Sequence, residues 1–282
     1  MSARGVLRLA CMRSALGFGL LSCALVFGCA VPADEAADNA SESSEDALVG
    51  GSRDLRWSAA GYLTRNDGEP GRVHCGATLI APRVVVTAAH CALRAEASSW
   101  SFGVGDPGTG PRVKVLETHV HPSFRPEAQG SFDLVHALRK YDVAYLYLAQ
   151  AVPNVVPAAL PTEPPKMGCT IQAIGYHADQ PGKPQVRKST PACIMFRVTL
   201  GQDPIFEVHP QRSSGLCAAD GDEGSPAMVR DQERAVLVGF YVGSVTQGIT
   251  DCRRGVQFLN GYESAYGYRD FFAEAIDGAA RL

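Results

Sequence analysis

The stretch from Cys75 to Cys91 reads CGATLIAPRVVVTAAHC. It contains two short apolar runs, Ala77 to Ile80 and Val84 to Thr87, with Pro82 between them. Short runs of this kind, rich in Val, Ile and Thr and bounded by turn residues, predict strands. The stretch ends with His90 and Cys91, and His90 is a titratable side chain placed three residues after the predicted strand.

The strand pattern continues on both sides of this stretch, from Leu48 to the end of the chain. Further predicted strands are Val113 to Val120, Val143 to Leu148, Thr170 to Tyr176 and Ala235 to Val242. Clusters of Gly, Pro and Asp separate the runs, which is typical of antiparallel β-barrels or sandwiches. One segment has strong helical spacing, from Tyr268 to Ile276, and Gly278 follows it.

A proline-rich segment from Ala151 to Met167 interrupts the strand pattern near its middle. Its prolines are Pro153, Pro157, Pro161, Pro164 and Pro165. Proline lacks a backbone N–H, so this segment cannot be a central strand or a helix. We interpret it as a connector between two halves of similar size.

The composition is that of a globular protein. The 282 residues are 46% hydrophobic and 20% charged, and 29 acidic against 26 basic side chains give a net charge of −3. These values exclude collagen-like, coiled-coil and largely disordered chains. The near balance of charge argues against a nucleic-acid partner. The length allows one large or two small domains with a substantial core.

Residues 1–28 are predicted to be a signal peptide. Three arginines precede an apolar run from Ala15 to Gly28. This run is too short to span a membrane, because a transmembrane helix needs about 20 residues. The residues before Cys29 resemble a bacterial lipobox, so two outcomes stay open: lipidation of Cys29, or plain cleavage after a small residue. Residues 29–47 are acidic and lack aromatic residues, which predicts a disordered linker or propeptide.

Six of the nine cysteines lie beyond Cys29. An even number in an exported chain indicates three disulfides, and spacing alone does not choose among their pairings. One pairing follows from a local turn: residues 179–184 are rich in turn formers, and Cys169 and Cys193 each lie twelve positions from residue 181. A hairpin around this turn would bring the two cysteines face to face, so we expect the bridge Cys169–Cys193. The chain has no C-x-x-C pair, so we expect no zinc site.

Three strings together resemble the chymotrypsin/trypsin-like serine protease family. They are Leu48-Val49-Gly50-Gly51, the stretch from Cys75 to Cys91, and Tyr141-Asp142-Val143-Ala144-Tyr145-Leu146. Their order and spacing match the family, and the resemblance covers the chain from Leu48 to the terminal helix. It implies an all-β, trypsin-like domain at 48–282, with two six-stranded antiparallel β-barrels and a C-terminal helix. Barrel one would span about 48–155 and barrel two about 165–282.

The resemblance also implies the roles of the site residues. In this family a serine attacks the peptide carbonyl, a histidine takes its proton, and a buried aspartate orients the imidazole. By motif, His90 is the base and Asp142 is the orienting acid. Where the family has G-D-S-G-G-P, this chain has the string GDEGSP from Gly221 to Pro226. Glu223 therefore stands at the nucleophile position.

A glutamate at that position is expected to disable the enzyme. Attack by a carboxylate would give a mixed anhydride, and His90 would have no hydroxyl proton to remove. The backbone N–H groups of Gly221 and Glu223 would form the family's oxyanion hole. We expect the Glu223 carboxylate either to pair with protonated His90 or to fold toward those donors. Ser225 is displaced by a two-residue step of roughly 6 to 7 Å and is expected to point the wrong way for rescue.

Two further disulfides and an activation pair are implied by the resemblance alone. The bridges are Cys75–Cys91 and Cys217–Cys252. Asp222 would pair with the new ammonium group of Leu48 after cleavage before that residue. Because Ala47 precedes Leu48, activation by a trypsin-like enzyme is not encoded.

The substrate-binding residues also depart from the family pattern. With Cys217 aligned as the disulfide cysteine, the floor of the specificity pocket becomes the uncharged Gly215. The family's S-W-G edge strand appears as Val242-Gly243-Ser244, which lacks the tryptophan. We therefore do not expect substrate binding of the usual kind.

The leading hypothesis is an exported, catalytically inactive protease homologue that binds a protein or peptide in its cleft. We expect a secreted or cell-envelope monomer that needs no cofactor. A metal site at His90 and Glu223 is not expected, because Asp142 behind the imidazole could not converge as a third ligand. The alternative is an active serine endopeptidase, working through Ser225 or a misaligned loop. A third hypothesis is an envelope lipoprotein whose domain is only structural.

Overall fold

The computed structural model describes residues 51–68, 71–126, 141–176, 184–200, 203–210, 221–245 and 259–282. The predicted signal peptide and linker lie outside these ranges, as do Cys29, Leu48, Gly215 and the expected bridge Cys217–Cys252. Predictions about those residues remain predictions.

Strands dominate the described residues. They are β1 (Ser52–Arg53), β2 (Ala60–Arg65), β3 (Cys75–Ala81), β4 (Val84–Thr87), β5 (Trp100–Val104), β6 (Arg112–Val120), β7 (Ala144–Leu148), β8 (Gly168–Gly175), β9 (Lys188–Leu200), β10 (Asp203–Pro210), β11 (Pro226–Asp231), β12 (Arg234–Val245) and β13 (Leu259–Ser264). The helices are α1 (Ala89–Ala92) and α2 (Arg269–Ala279), with a 3₁₀ turn at Ala97–Ser99. Each strand predicted from an apolar run overlaps an observed one.

Strands β2 to β7 close into barrel one, in the order β2-β3-β4-β7-β6-β5. Val85 of β4 lies opposite Leu79 of β3 on one side and Leu146 of β7 on the other. All three side chains are fully buried. Branched apolar side chains such as these thus fill the interior of the barrel, as expected for a small closed sheet.

Strands β8 to β13 form barrel two. They run in the order β8-β9-β10-β13-β12-β11, and β11 pairs with β8 to close the ring. The short strand β1 adds to β9, with Ser52 opposite Ser189. The buried core of barrel two includes Ile194, Phe206 and Tyr262. Two closed six-stranded antiparallel barrels with a C-terminal helix confirm the predicted fold class.

The connector and the terminal helix largely follow the prediction. Residues 151–167 are all described and contain no strand or helix beyond an isolated bridge from Ala159 to Val236. Helix α2 ends at Ala279, three residues after the predicted end. Gly278 lies inside the helix, at a position where a Cβ atom would overlap the hydroxyl of Tyr147. This glycine permits a close approach and does not end the helix.

The two barrels meet where β3 lies against the loop before β11. The Gly76 N–H donates to the Glu223 carbonyl at 2.7 Å. A Cβ atom on Gly76 would lie 2.6 Å from the backbone nitrogen of Ser225, which is closer than real Cβ atoms come. Glycine at this position therefore allows barrel one to touch the segment that carries Glu223.

Two disulfides are present among the described residues. Cys75–Cys91 joins β3 to α1, and Cys169–Cys193 joins the neighbouring strands β8 and β9. Both bridges were predicted, the first from the family resemblance and the second from the hairpin. No helix of the described residues is long and apolar enough to cross a membrane.

Candidate functional site

His90 and Asp142 come together on barrel one. His90 lies on α1, which starts just after β4, and its backbone N–H donates to Asp142 Oδ1 at 2.8 Å. The His90 Nδ1 atom lies 2.6 Å from Asp142 Oδ2. The carboxylate is fully buried, and the imidazole side chain is 8% exposed. Because Nδ1 is engaged by the carboxylate, a neutral ring carries its proton there and leaves Nε2 as the acceptor.

Asp142 occupies the centre of a tight turn. The Val143 N–H donates to the Tyr141 carbonyl at 2.8 Å, which is the hydrogen bond of a γ-turn. Tyr141 has φ +56°, a left-handed conformation that residues with a Cβ rarely adopt. His121 supports the turn in two ways. Its ring stacks on that of Tyr141 with the ring centroids 5.2 Å apart, and its backbone N–H donates to the Val143 carbonyl at 3.0 Å.

Glu223 lies across from His90, in the loop that leads into β11. Its Oε2 accepts the Gly221 N–H at 3.1 Å, and its Oε1 lies 3.9 Å from Arg94 Nη2. The Glu223 side chain is 18% exposed and that of Arg94 is 42% exposed. The strained φ of +103° at Gly221 suits glycine and turns its N–H toward the carboxylate.

This geometry corresponds to the second of the two arrangements expected for the carboxylate. Glu223 folds back onto a backbone donor of its own loop, while the Nε2 atom of His90 lies 3.6 Å from Cys91 Sγ. The Gly221 N–H, which the family resemblance assigns to the oxyanion hole, thus already donates to the Glu223 carboxylate.

Ser225 is not hydrogen-bonded to the imidazole. Its side chain is buried, and its Oγ has no hydrogen-bond partner among the described residues. It packs against the backbone of Gly76, at the contact between the barrels. A base must reach the hydroxyl it activates, and this serine shows no such contact with His90.

The barrel topology and the His90–Asp142 geometry agree with the comparison against known families. A family model described as Trypsin matches residues 48–270. The chain belongs to the trypsin family.

Individual trypsin-family relatives are distant. Human kallikrein-2 is 29% identical over 181 residues, which is 55% of this chain and 66% of that protein. Serine protease ea of Drosophila melanogaster is 25% identical over 236 residues, covering 70% of this chain and 58% of its own length. Kallikrein-15 of Saguinus oedipus is 31% identical over 213 residues, covering 70% of this chain and 77% of the relative. The chain thus spans less than two thirds of the first two relatives.

Asp222 is the one member of the expected activation pair that is described. It is buried, and its Oδ1 accepts the Tyr176 N–H at 2.7 Å. Burial raises the pKa of the nearby Tyr262 phenol, and the charges of Tyr241 and Asp222 add to that rise. Asp222 is thus a buried carboxylate close to the Tyr262 phenol and hydrogen-bonded to the Tyr176 main chain.

The substrate-binding edge of the trypsin-family fold is partly described. Val242 is buried in the apolar core, and Gly243 has φ +154°. The side chain of Ser244 is not among the described groups. The alignment of Val242-Gly243-Ser244 with the family's S-W-G string stays a prediction.

Two residues near the site were not predicted from the sequence. Arg94 lies two residues after the end of α1 and contacts Glu223, and no motif in the sequence pointed to it. Glu263 is fully buried in β13 and accepts the Asp142 N–H at 3.1 Å. No sequence pattern pointed to Glu263, because it lies far from Asp142 along the chain.

The described residues offer one cluster with the composition of a metal site, formed by Cys75, His90 and Cys91. Both sulfur atoms belong to the disulfide, so neither can act as a thiolate ligand. The cluster therefore cannot hold a metal ion while the bridge is intact.

Proposed function

We propose that this trypsin-family chain is an exported homologue without proteolytic activity that acts by binding a protein or peptide. The observation that carries the proposal is the Glu223 carboxylate hydrogen-bonded to the Gly221 N–H. The motif aligns Glu223 with the nucleophile, and this contact fills the position where the substrate oxyanion would bind.

The chemistry of the site supports the loss of catalysis. In the family mechanism, His90 would accept a proton from an attacking hydroxyl. Glu223 has no such proton when ionised, and an acyl-glutamate would be a mixed anhydride. A substrate carbonyl would also have to displace the Glu223 carboxylate from Gly221 before its oxygen could be stabilised there.

One observation favours the alternative, an active serine endopeptidase. The His90–Asp142 pair has the hydrogen bonds that a working base needs. The relative from Drosophila melanogaster is named a serine protease. This alternative requires Ser225 to leave its buried contact with Gly76 and turn toward His90.

Casein turnover discriminates between these functions. The proposal expects no turnover by the purified mature protein, and the Glu223→Ala variant should behave identically. Turnover by the mature protein that disappears in Ser225→Ala would establish the alternative. The Ser225→Ala variant should fold, because its hydroxyl makes no hydrogen bond among the described residues.

Binding is tested separately by selecting displayed peptides on the immobilised mature protein. We expect selected peptides to lose binding to Glu223→Trp, which fills the space beside His90. The matched control is Glu233→Ala, at an exposed position in the turn between β11 and β12. Peptides that bind both variants equally would place the binding surface elsewhere.

Export and anchoring form part of the proposal. Two disulfides are consistent with an oxidising compartment. We propose a lipid anchor at Cys29 in the envelope and a monomeric domain beyond the linker. Globomycin-sensitive processing that is lost in Cys29→Ala would support the anchor, and processing insensitive to globomycin would indicate plain secretion.

A further inference from the structure

Glu263 is a fully buried carboxylate that the proposed function does not use. It lies in β13, the last strand of barrel two. Its Oε1 accepts the Asp142 N–H at 3.1 Å, and its Oε2 accepts the Tyr268 hydroxyl at 3.2 Å. Asp142 belongs to barrel one and Tyr268 precedes α2, so one carboxylate connects three parts of the fold.

An acid at this position is costly unless its oxygens are satisfied. Burial of an ionised carboxylate is strongly unfavourable without hydrogen-bond donors, whereas an apolar side chain of similar size would fill the space freely. The residues opposite Glu263 on the neighbouring strands, Ile205 of β10 and Phe240 of β12, are apolar and buried. The acid is therefore explained by the donors it accepts from, above all the Asp142 N–H.

The Asp142 backbone needs an external support. Asp142 is the central residue of a γ-turn and follows Tyr141, whose φ is +56°. Strained backbone of this kind persists only where its surroundings hold it in place. His121 holds the turn from barrel one through its stacking on Tyr141. Glu263 holds it from barrel two, at the N–H of the residue whose carboxylate binds His90.

We propose that Glu263 is a positioning residue for the His90–Asp142 pair. Its Oε1 fixes the Asp142 backbone, and the Asp142 carboxylate then fixes the His90 main chain and ring through two hydrogen bonds. This role does not depend on Glu223. It would hold equally if the chain proved to be an active protease.

The proton between His90 Nδ1 and Asp142 Oδ2 reports on this arrangement. It lies in a short, charge-assisted hydrogen bond of 2.6 Å, and such protons give NMR signals at very low field. In Glu263→Leu of the mature protein we expect this signal to disappear. The Asp142 amide should also exchange about 10- to 100-fold faster, the loss that corresponds to one hydrogen bond to a charged group.

Two further variants separate positioning from general destabilisation. Glu263→Gln should keep the signal, because its amide oxygen can accept the Asp142 N–H and its amide nitrogen can donate to Tyr268. Tyr268→Phe removes the other donor to the same carboxylate but leaves the Asp142 contact, so it should also keep the signal.

The proposal is overturned if the low-field signal persists unchanged in Glu263→Leu, or if Tyr268→Phe removes it as completely. If Glu263→Leu does not fold, Glu263→Gln decides the matter. A folded Glu263→Gln protein that lacks both the signal and the Asp142 amide protection contradicts the proposal, and one that keeps both supports it.

Discussion

The two halves of the site differ in how they are built. On barrel one, His90 and Asp142 are joined by two short hydrogen bonds and are held from outside by His121 and Glu263. On barrel two, Glu223 folds onto Gly221 of its own loop. The barrel-one half therefore keeps the contacts of a working base, while in the barrel-two half the Glu223 carboxylate is bound within its own loop.

This difference shows that fold and activity depend on different residues. Packing between the barrels uses the hydrogen bond from the Gly76 N–H to the carbonyl of residue 223. Any amino acid at position 223 has this carbonyl. Catalysis needs a hydroxyl at that position, which only a few side chains offer. A trypsin-family domain can thus keep its architecture and its histidine–aspartate pair while one side chain alters what the site can do.

The largest effect is expected from restoring a hydroxyl on the barrel-two side. Glu223→Ser should gain labelling by a fluorophosphonate, which reacts with activated serines, by about 10³-fold over the mature wild-type protein. The His90–Asp142 pair is already in place to take the proton. Labelling is measured by intact mass, and Glu223→Ala is the matched control that should stay unlabelled. A folded Glu223→Ser protein without labelling would show that the barrel-one half is not competent as it stands.

The contact between the halves is tested next, at Gly76. Gly76→Ala should destabilise the protein by about 3 kcal/mol, because the added Cβ overlaps Ser225. Adding Ser225→Gly should recover only part of this loss, since the Ser225 backbone also lies in the way. Urea unfolding of the single and double variants measures both values. Full recovery in the double variant would mean that only the side chain, and not the backbone, sets the spacing of the barrels.

A polar junction away from the site fastens the segment between β1 and β2 to strand β9. Asp54 precedes β2 and accepts from Arg56 and from the Ser189 hydroxyl of β9. Burial opposes its ionisation, but these hydrogen bonds hold the pKa of Asp54 well below its usual range. Asp54→Asn should cost about 2 kcal/mol at neutral pH.

The pH dependence of this effect has a definite sign. A depressed pKa in the folded state stabilises the protein above the unfolded value of about 3.9, and the contribution disappears as pH falls below it. Unfolding at pH 7, 5 and 3 should therefore show a constant Asp54→Asn difference at the first two values and a smaller one at pH 3. Asp67→Asn is the control, because its Arg65 pair is solvent exposed and should change stability less. An equal loss at all three pH values would contradict the role of the ionised carboxylate.

The smallest effect is expected from Arg94, which lies on the barrel-one side and faces Glu223. Its guanidinium is 42% exposed and 3.9 Å from the carboxylate, so Arg94→Ala should change stability by less than about 1 kcal/mol. Because the Gly221 N–H is the closer partner, Glu223 should stay folded onto its loop. A loss much larger than this in urea unfolding would show that Arg94, and not Gly221, holds Glu223.

The sequence predicted most of the fold but only part of the site. Strand runs such as Val84 to Thr87 were visible because each combines local propensity with a turn on either side. Cys169–Cys193 was predictable because one hairpin determines it. The motif also placed His90 near Asp142. These features share a short-range signal or a recognisable string.

The remaining site residues depend on contacts that no local pattern encodes. Glu263 lies 121 positions from Asp142 and meets it only because barrel two closes. Gly278 was predicted to follow the helix, but it lies inside α2 and accommodates Tyr147 of barrel one. Whether the Glu223 carboxylate binds His90 or the Gly221 N–H depends on distances within the folded loop.

The most direct test is the reaction of the mature wild-type protein with a fluorophosphonate, followed by intact mass measurement. Our account predicts no adduct, because Glu223 has no hydroxyl and Ser225 is buried away from His90. A stoichiometric adduct that disappears in Ser225→Ala would contradict the account and identify the protein as an active serine endopeptidase.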